Sequence, residues 1–311
     1  MGMQILNRVA TTVLTLLGVS LMVFGLVHIV PGDPVQIMLG DRASPQMVET
    51  LRDQLGLNDP LAVQYLRFVG GLLQGDLGTS IQTGQPVTSE LMQRLPKTLQ
   101  LGGAALILAT IFGVASGVAL AVSRSRLTQW PVQAVVLLGF AMPSFWVGLM
   151  LILFFSSTLG WFPVIDNGSL RALVLPAIAL ALPSGTYLAR LIRTGMLEVL
   201  GEDYVRTALA KGAGRRVVLF RHALRNALLP VVTVIGMQFG ALLTGAAVIE
   251  VVFSRPGIGS YAILAIGSRD FPQIQGTVML IATLFLAVNL LVDVSYGWID
   301  PRMRGDRAVA R

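Results

Sequence analysis

Six stretches of this chain are each long enough and apolar enough to cross a lipid bilayer, and that pattern restricts the fold more than any other feature. A helix needs about 20 predominantly apolar residues to span the hydrocarbon core. The candidates run roughly over Val9–Val30, Thr98–Val122, Pro131–Ser157, Ala172–Thr194, Ala227–Phe253 and Gly276–Trp298, and the first three contain no Asp, Glu, Lys or Arg. Lipid offers no water to backbone amides, so such spans must satisfy their hydrogen bonds internally as helices. The fold expected is all-α, a polytopic membrane bundle of six transmembrane helices. Composition agrees: 54% of the residues are hydrophobic and 13% charged, too few charges to cover a soluble surface. Small residues recur along the second stretch at Gly102, Gly103, Gly113, Ser116 and Gly117, which suits close helix approach in lipid. Pro143, Pro176 and Pro183 are tolerated in a packed membrane bundle, where neighbours satisfy the freed backbone groups. The first stretch exceeds a signal-peptide core and ends in His28-Ile29-Val30-Pro31 without a small-residue cleavage site. It is expected to remain as a membrane helix.

The net charge of +7 raises nucleic acid as a partner, but the placement of the charges argues for topology instead. With the N-terminus inside, the inner segments hold 15 of the 23 basic residues. These are Arg8; Arg124 and Arg126; Arg190, Arg193, Arg206, Lys211, Arg215, Arg216, Arg221 and Arg225; and Arg302, Arg304, Arg307 and Arg311. Excess Lys and Arg marks cytoplasmic loops, so both termini are expected in the cytoplasm and no nucleic-acid partner is expected.

Two connections are too long to be simple turns. The outer one, 31–97, reads as a small helical cap. Ser44-Pro45 and Asp59-Pro60 are helix starts, Gly56 and Gly75 are stops, and Leu61, Tyr65, Phe68 and Leu72 share roughly one face. It is either a lid on the bundle or a surface that receives a partner or substrate. The inner one, 195–226, interleaves basic residues with Leu197, Leu200, Tyr204, Val205, Leu209, Val217, Val218 and Leu219, and Gly212 and Gly214 divide it into two short helices. An amphipathic inner segment of this kind is a docking surface or a helix lying on lipid.

Enzymatic readings find little purchase. With no cysteine and only His28 and His222, thiolate chemistry is excluded and a histidine metal site is not expected. There is no phosphate-binding Gly-x-x-x-x-Gly-Lys-Ser/Thr loop, so any ATP hydrolysis belongs to another chain. No inverted repeat of the kind found in secondary transporters is visible. Two acids lie near the membrane. Asp293, about one turn from the inner end of the last span, is expected to pair or hydrogen-bond with an inner-loop cation, the alternative being a place on the substrate pathway. Glu250, near the outer end of the fifth, is expected either to pair with Arg255 or to face a pore mouth.

The inner loop carries a resemblance. Asp203-Tyr204-Val205-Arg206-Thr207-Ala208-Leu209-Ala210-Lys211-Gly212, followed by His222-Ala223-Leu224-Arg225-Asn226-Ala227-Leu228-Leu229-Pro230, resembles the coupling loop of permease subunits of binding-protein-dependent ABC importers. The likeness is to the dipeptide/oligopeptide/nickel branch. Arg206-Thr207-Ala208 stands where the wider superfamily has Glu-Ala-Ala. Leu26–Pro34, Leu55–Pro60, Gln74–Ser80, Val252–Gly259, Asn289–Asp293 and Asp300–Arg304 resemble, in order, other segments of the B-type peptide permeases.

The resemblance implies the type I ABC importer transmembrane fold and a non-catalytic subunit of the bacterial inner membrane. That subunit forms half of a pore for di- or oligopeptides, or alternatively for glutathione, nickel or another small solute. A self-sufficient secondary transporter remains a further alternative. The implied partners are a second, homologous permease, two ATP-binding subunits that hold ATP and Mg, and an extracytoplasmic substrate-binding protein. Tyr204, Arg206, Thr207, Ala208 and Gly212 would contact or shape the ATPase interface. The expected organisation is an N-terminal helix over 1–30, an outer cap over 31–97, a core over 98–298 containing the coupling loop 195–226, and a tail over 299–311.

Overall fold

The computed structural model describes residues 2–29, 35, 39, 44–54, 56–123 and 125–299; side chains at 2–5, 54, 128, 215, 229, 233 and 293–299 are outside the description. Among the described residues every regular element is a helix. They are α1 Gly2–Ile29, α2 Pro45–Gln54, α3 Leu61–Leu73, α4 Val87–Val122, α5 Arg126–Ala141, α6 Ser144–Leu151, α7 Leu170–Gly201, α8 Asp203–Ala210, α9 Arg225–Val252, α10 Ile258–Ser268 and α11 Phe271–Ile299. α6 runs on as a π-helical segment, Ile152–Thr158, and α9 is preceded by the turn Arg215–Val217 and a second π-helical segment, Val218–Leu224.

Five of the six predicted spans are single helices long and apolar enough to cross a membrane, within α1, α4, α7, α9 and α11. The third differs. Pro143 has no amide hydrogen and disfavours helical geometry at Met142; the chain there leaves the helix (φ −91°, ψ 132° at Met142) and turns by 116° between α5 and α6. Pro176 and Pro183 stay inside an unbroken α7, as expected for prolines in a packed membrane helix.

The chain divides into two compact units. One comprises residues 1–98 and 256–290. Here α3 lies on α1: Tyr65 Oη and Ser20 Oγ are 2.9 Å apart, and Phe24 meets Tyr65 edge-on with ring centroids 5.4 Å apart. Tyr65, Phe68 and Leu72 are half-buried, whereas Leu61 is exposed. Ser44 Oγ accepts from the Met47 amide, as its N-cap pattern requires. Asp59 does not cap α3; Pro60 holds that position, and Asp59 pairs with Arg67 at 2.7 Å.

Deeper in this unit Val87, Leu91, Ile258 and Tyr261 form an apolar core beside a buried polar cluster. Asp270, with no exposed surface, accepts from Ser80 Oγ at 2.7 Å, the Gln82 amide at 3.0 Å and the Gln273 amide at 3.2 Å. Gln273 Nε2 donates to Ser80 Oγ, and Tyr261 Oη donates to Glu90. A carboxylate with three donors tolerates burial that a lone one does not. Residues 80–90 are thereby tied to α10 and α11. Burial, then the bond to Glu90, pushes the Tyr261 hydroxyl well above the usual tyrosine range.

The second unit comprises residues 99–255 with 291–299. Its core lies where α4, α6, α7 and α9 converge on Leu101, Ala105, Ala109, Ala179, Leu180, Ala246 and Ile249. The small-residue seam of α4 works as predicted: a Cβ on Gly113 would lie 2.6 Å from the Leu188 Cβ, and one on Gly117 2.7 Å from the Ala189 carbonyl oxygen. Gly103, by contrast, has nothing among the described residues within 4 Å of such a Cβ. Leu188, Ile192, Met196, Ala223, Ala227 and Val231 form a further cluster that binds α7 to the second π-helical segment and the first turns of α9.

Candidate functional site

The inner connection predicted over 195–226 is helical almost throughout. α7 continues to Gly201; Glu202 is extended (φ −69°, ψ 146°), and α8 begins at once. The Val205 amide bonds the Glu202 carbonyl at 3.1 Å. At the other end Gly212 adopts φ +85°. The Gly212 amide bonds the Leu209 carbonyl at 3.0 Å, and the Ala213 amide bonds the Ala208 carbonyl at 3.1 Å. That pair of bonds is the Schellman arrangement, which requires a left-handed residue after the last helical turn and favours glycine there. The expected second short helix differs from prediction, since from Arg215 onward the chain runs through the π-helical segment straight into α9.

α8 has two dissimilar sides. Val205 is 2% exposed and Ala208 half-buried. Tyr204 Oη accepts a 2.8 Å bond from Asn226 Nδ2 at the start of α9, while the Tyr204 ring stays 42% exposed. Arg206, Thr207 and Leu209 are exposed. Arg206 lies 3.6 Å from Asp203, an exposed pair worth little in energy. Thr207 Oγ1 donates to the Asp203 carbonyl at 3.0 Å. Of the five residues predicted here, Tyr204 and Ala208 therefore hold the helix in place, Gly212 ends it, and Arg206 and Thr207 stand outward. Leu209, read from sequence only as one of the apolar residues of this segment, adds an exposed apolar group to that outward side.

Glu250 is fully buried near the end of α9, and its backbone carbonyl accepts from the Arg255 amide at 2.7 Å. The Arg255 guanidinium reaches Asp166 at 3.1 Å and Gln100 Oε1 at 3.2 Å, and both partners of the ion pair are nearly inaccessible, at 2% and 3% exposed. Asp166 was missed: in sequence Asp166-Asn167-Gly168 reads as a turn, and 89 residues separate it from Arg255. Asp293 lies on α11 with its side chain outside the described residues. Among the described residues there is no grouping of His, Cys, Asp and Glu fit to hold a metal ion.

Comparison with known proteins follows this architecture. The family profile described as binding-protein-dependent transport system inner membrane component matches residues 109–305, and the profile for the N-terminal part of such membrane components matches residues 1–102. The di/tripeptide transport system permease protein DppB of Pseudomonas aeruginosa is 44% identical, covering 97% of this chain and 99% of that protein. The dipeptide transport system permease protein DppB of Escherichia coli K12 is 42% identical over 96% and 98%. The glutathione transport system permease protein GsiC of Salmonella paratyphi A is 41% identical over 96% and 98%. Among solved structures, the MetNI methionine ABC transporter in inward-facing form superposes with a TM-score of 0.55 at 16% identity, covering 68% of this chain and 96% of that one. An amino acid ABC transporter crystallised with histidines gives 0.53 at 18%, covering 69% and 94%. With the fold of ABC importer membrane subunits and both family profiles laid end to end along it, this chain belongs to the inner-membrane components of binding-protein-dependent transport systems.

Proposed function

We propose that this chain is one half of the translocation pore of an ATP-driven peptide importer, coupled to separate ATPase subunits through α8. The observation that carries the coupling is the build of that helix: anchored through Val205, Tyr204 and Asn226, ended by Gly212, and outward-facing at Arg206, Thr207 and Leu209. A short helix clamped to the membrane core on one side and exposed on the other is a rigid lever. Each of two ATP-binding subunits, which hold ATP and Mg, seats one such helix, from this chain and from a homologous second permease. Closure of the ATPases draws the two helices together and swings the pore from inward- to outward-facing. α8 then lies in the cytoplasm with both chain termini, in keeping with the bias of basic residues toward the inner segments.

Residues 31–97 face outward as the cap, 98–298 form the core and 299–311 the cytoplasmic tail, while an extracytoplasmic binding protein delivers the solute. Di- or oligopeptides are the substrate class, supported by the 44% and 42% identical relatives. The relative named for glutathione supports that peptide-like molecule as the second reading. Glu250, buried beside the Asp166–Arg255 pair, acts structurally, and Asp293 takes a hydrogen-bonded structural role on α11.

The test is to express the chain with its neighbouring genes, purify the complex, and measure ATP-dependent uptake of a dipeptide and of glutathione in liposomes. Co-purification of a second permease with ATP-binding subunits and ATP-dependent dipeptide uptake supports the proposal. A chain that purifies alone and moves solute without ATP overturns it.

A further inference from the structure

α8 is eight residues long and fully buries one side chain, Val205, with Ala208 half-buried one turn further on. Apolar contacts are non-directional, so they seat the helix without fixing how it is rolled about its own axis. The chain at either end does not fix the roll either. Glu202 is extended and Gly212 left-handed, so no helix runs continuously into or out of α8. Tyr204 lies next to Val205, about 100° round the helix, and its hydroxyl takes the 2.8 Å bond from Asn226 Nδ2. Hydrogen bonds weaken steeply away from their preferred geometry. Seat and bond together define one roll angle, and with it the direction in which Arg206, Thr207 and Leu209 point.

Asn226 contributes little to its own helix. Leu224 and Arg225 are both helical (φ −62°, ψ −43° and φ −56°, ψ −44°), because the π-helical segment runs into α9 without a break. Asn226 therefore caps no helix end, and inside a helix asparagine is a poorer former than alanine, leucine or glutamine. Its side chain is exposed and committed to α8. One residue on, Ala227 is buried, and with Ala223 and Val231 it packs at four-residue spacing against Leu188, Ile192 and Met196 of α7. Asn226 thus projects from a helix start that is fixed to α7, and α9 continues unbroken from there to Val252.

We infer that Asn226 is a positioning residue of the coupling contact: its hydrogen bond to Tyr204 sets the roll of α8 and passes movement of α8 to the start of α9. The inference rests on the reading of α8 as the helix that seats against the ATPase subunits.

The test compares wild type with Asn226→Leu, Asn226→Asp, Tyr204→Phe and the two double variants, each as the assembled importer in liposomes with its binding protein. The readout is dipeptide uptake per ATP hydrolysed. Leucine is close to asparagine in size and cannot hydrogen-bond; aspartate cannot donate, but it accepts from the Tyr204 hydroxyl, which then becomes the donor. One hydrogen bond of ordinary net strength is a factor of about five. Asn226→Leu and Tyr204→Phe should therefore each lower the ratio about fivefold, and together no further. Asn226→Asp should keep the ratio, and lose it once Tyr204→Phe is added. The dipeptide concentration for half-maximal uptake should stay constant throughout. Additive losses, an Asn226→Leu variant that couples like wild type, or an Asn226→Asp variant no better than Asn226→Leu would overturn the inference. So would Asn226→Leu and Asn226→Asp complexes that both purify short of a subunit, which would make Asn226 an assembly residue. A wild type that takes up no dipeptide with ATP is a different failure, since it overturns the importer reading and this inference with it.

Discussion

If α8 works as a rigid lever, its C-terminal cap should control coupling in a graded way, and Gly212 permits a clean test. Its φ is +85°, and a Cβ built there meets nothing among the described residues within 4 Å, so substitution perturbs backbone preference without a steric clash. An L-residue in the left-handed region costs about 1–2 kcal/mol, asparagine less because it is among the residues enriched there, and a β-branched residue most. A penalty of that size shifts the ratio of capped to frayed helix about 5–30-fold. The assay is ATP hydrolysis and substrate uptake by the assembled importer in liposomes with its binding protein, for Gly212→Asn, Gly212→Ala and Gly212→Val. Uptake per ATP hydrolysed should fall in the order Gly, Asn, Ala, Val. Thermal stability should change little, because Gly212 is exposed and the apolar contacts of α8 lie elsewhere. A valine variant that couples as well as glycine would refute the reasoning, as would losses in Asn, Ala and Val that do not follow their left-handed preferences.

Other expectations concern the supports of this lever and the buried polar groups. Val205→Ala removes two methyl groups from a site 2% exposed and should weaken the seating of α8 by about 2 kcal/mol, read as faster proteolysis or hydrogen exchange across residues 203–213. Arg255→Ala leaves the Asp166 carboxylate buried without its cation and should lower thermal stability by about 3–5 kcal/mol; Asp166→Asn, which keeps an acceptor, should lose less. Ser156 Oγ is buried with no hydrogen-bond partner among the described residues, so Ser156→Ala should leave stability unchanged or raise it by about 1 kcal/mol. Tyr261 keeps its proton in the folded protein while the unfolded chain loses it above the ordinary value of about 10. Stability from this group is complete below that pH and is lost as pH rises beyond it. An ultraviolet titration of wild type against Tyr261→Phe should therefore show no phenolate step from this residue before unfolding.

The sequence patterns that survived comparison with the structure are those whose physics is local. Ser44 accepts from the Met47 amide, Gly212 takes the left-handed cap, and five apolar runs are unbroken helices, because each depends on residues within a few positions of one another. The helical segment on α1 was partly legible: Tyr65, Phe68 and Leu72 turn inward, while Leu61, at the end of the same apolar stripe, is exposed. Asp59 carried the same N-cap signature as Ser44, but Arg67 two turns into α3 outcompeted the helix amides for its carboxylate.

Hydropathy records how much apolar surface a segment has and nothing about its direction, which is why Pro131–Ser157 could be recognised as lipid-compatible but not as two helices turned by 116°. Prolines alone do not decide such a break. Pro176 and Pro183 sit in α7 where Leu175, Ala177, Ala179, Leu180 and Ser184 are buried against neighbours, and that contact keeps the helix continuous through them. Around Pro143 the flanking Phe140, Phe145 and Trp146 remain 62%, 44% and 40% exposed, so less is lost when the helix opens. The same distinction explains Asp166 and Arg255. An ion pair spanning 89 residues has no periodicity to betray it, and Gln100, from the beginning of the α4 membrane segment, supplies a further acceptor that helps the guanidinium tolerate burial. The corner held by Asp166, Gln100 and Arg255 and the helix α8 between Glu202 and Gly212 thus belong to one unit of the chain. The first is fixed by contacts among buried polar groups, whereas α8 is anchored through Val205 and Tyr204 and keeps Arg206, Thr207 and Leu209 exposed.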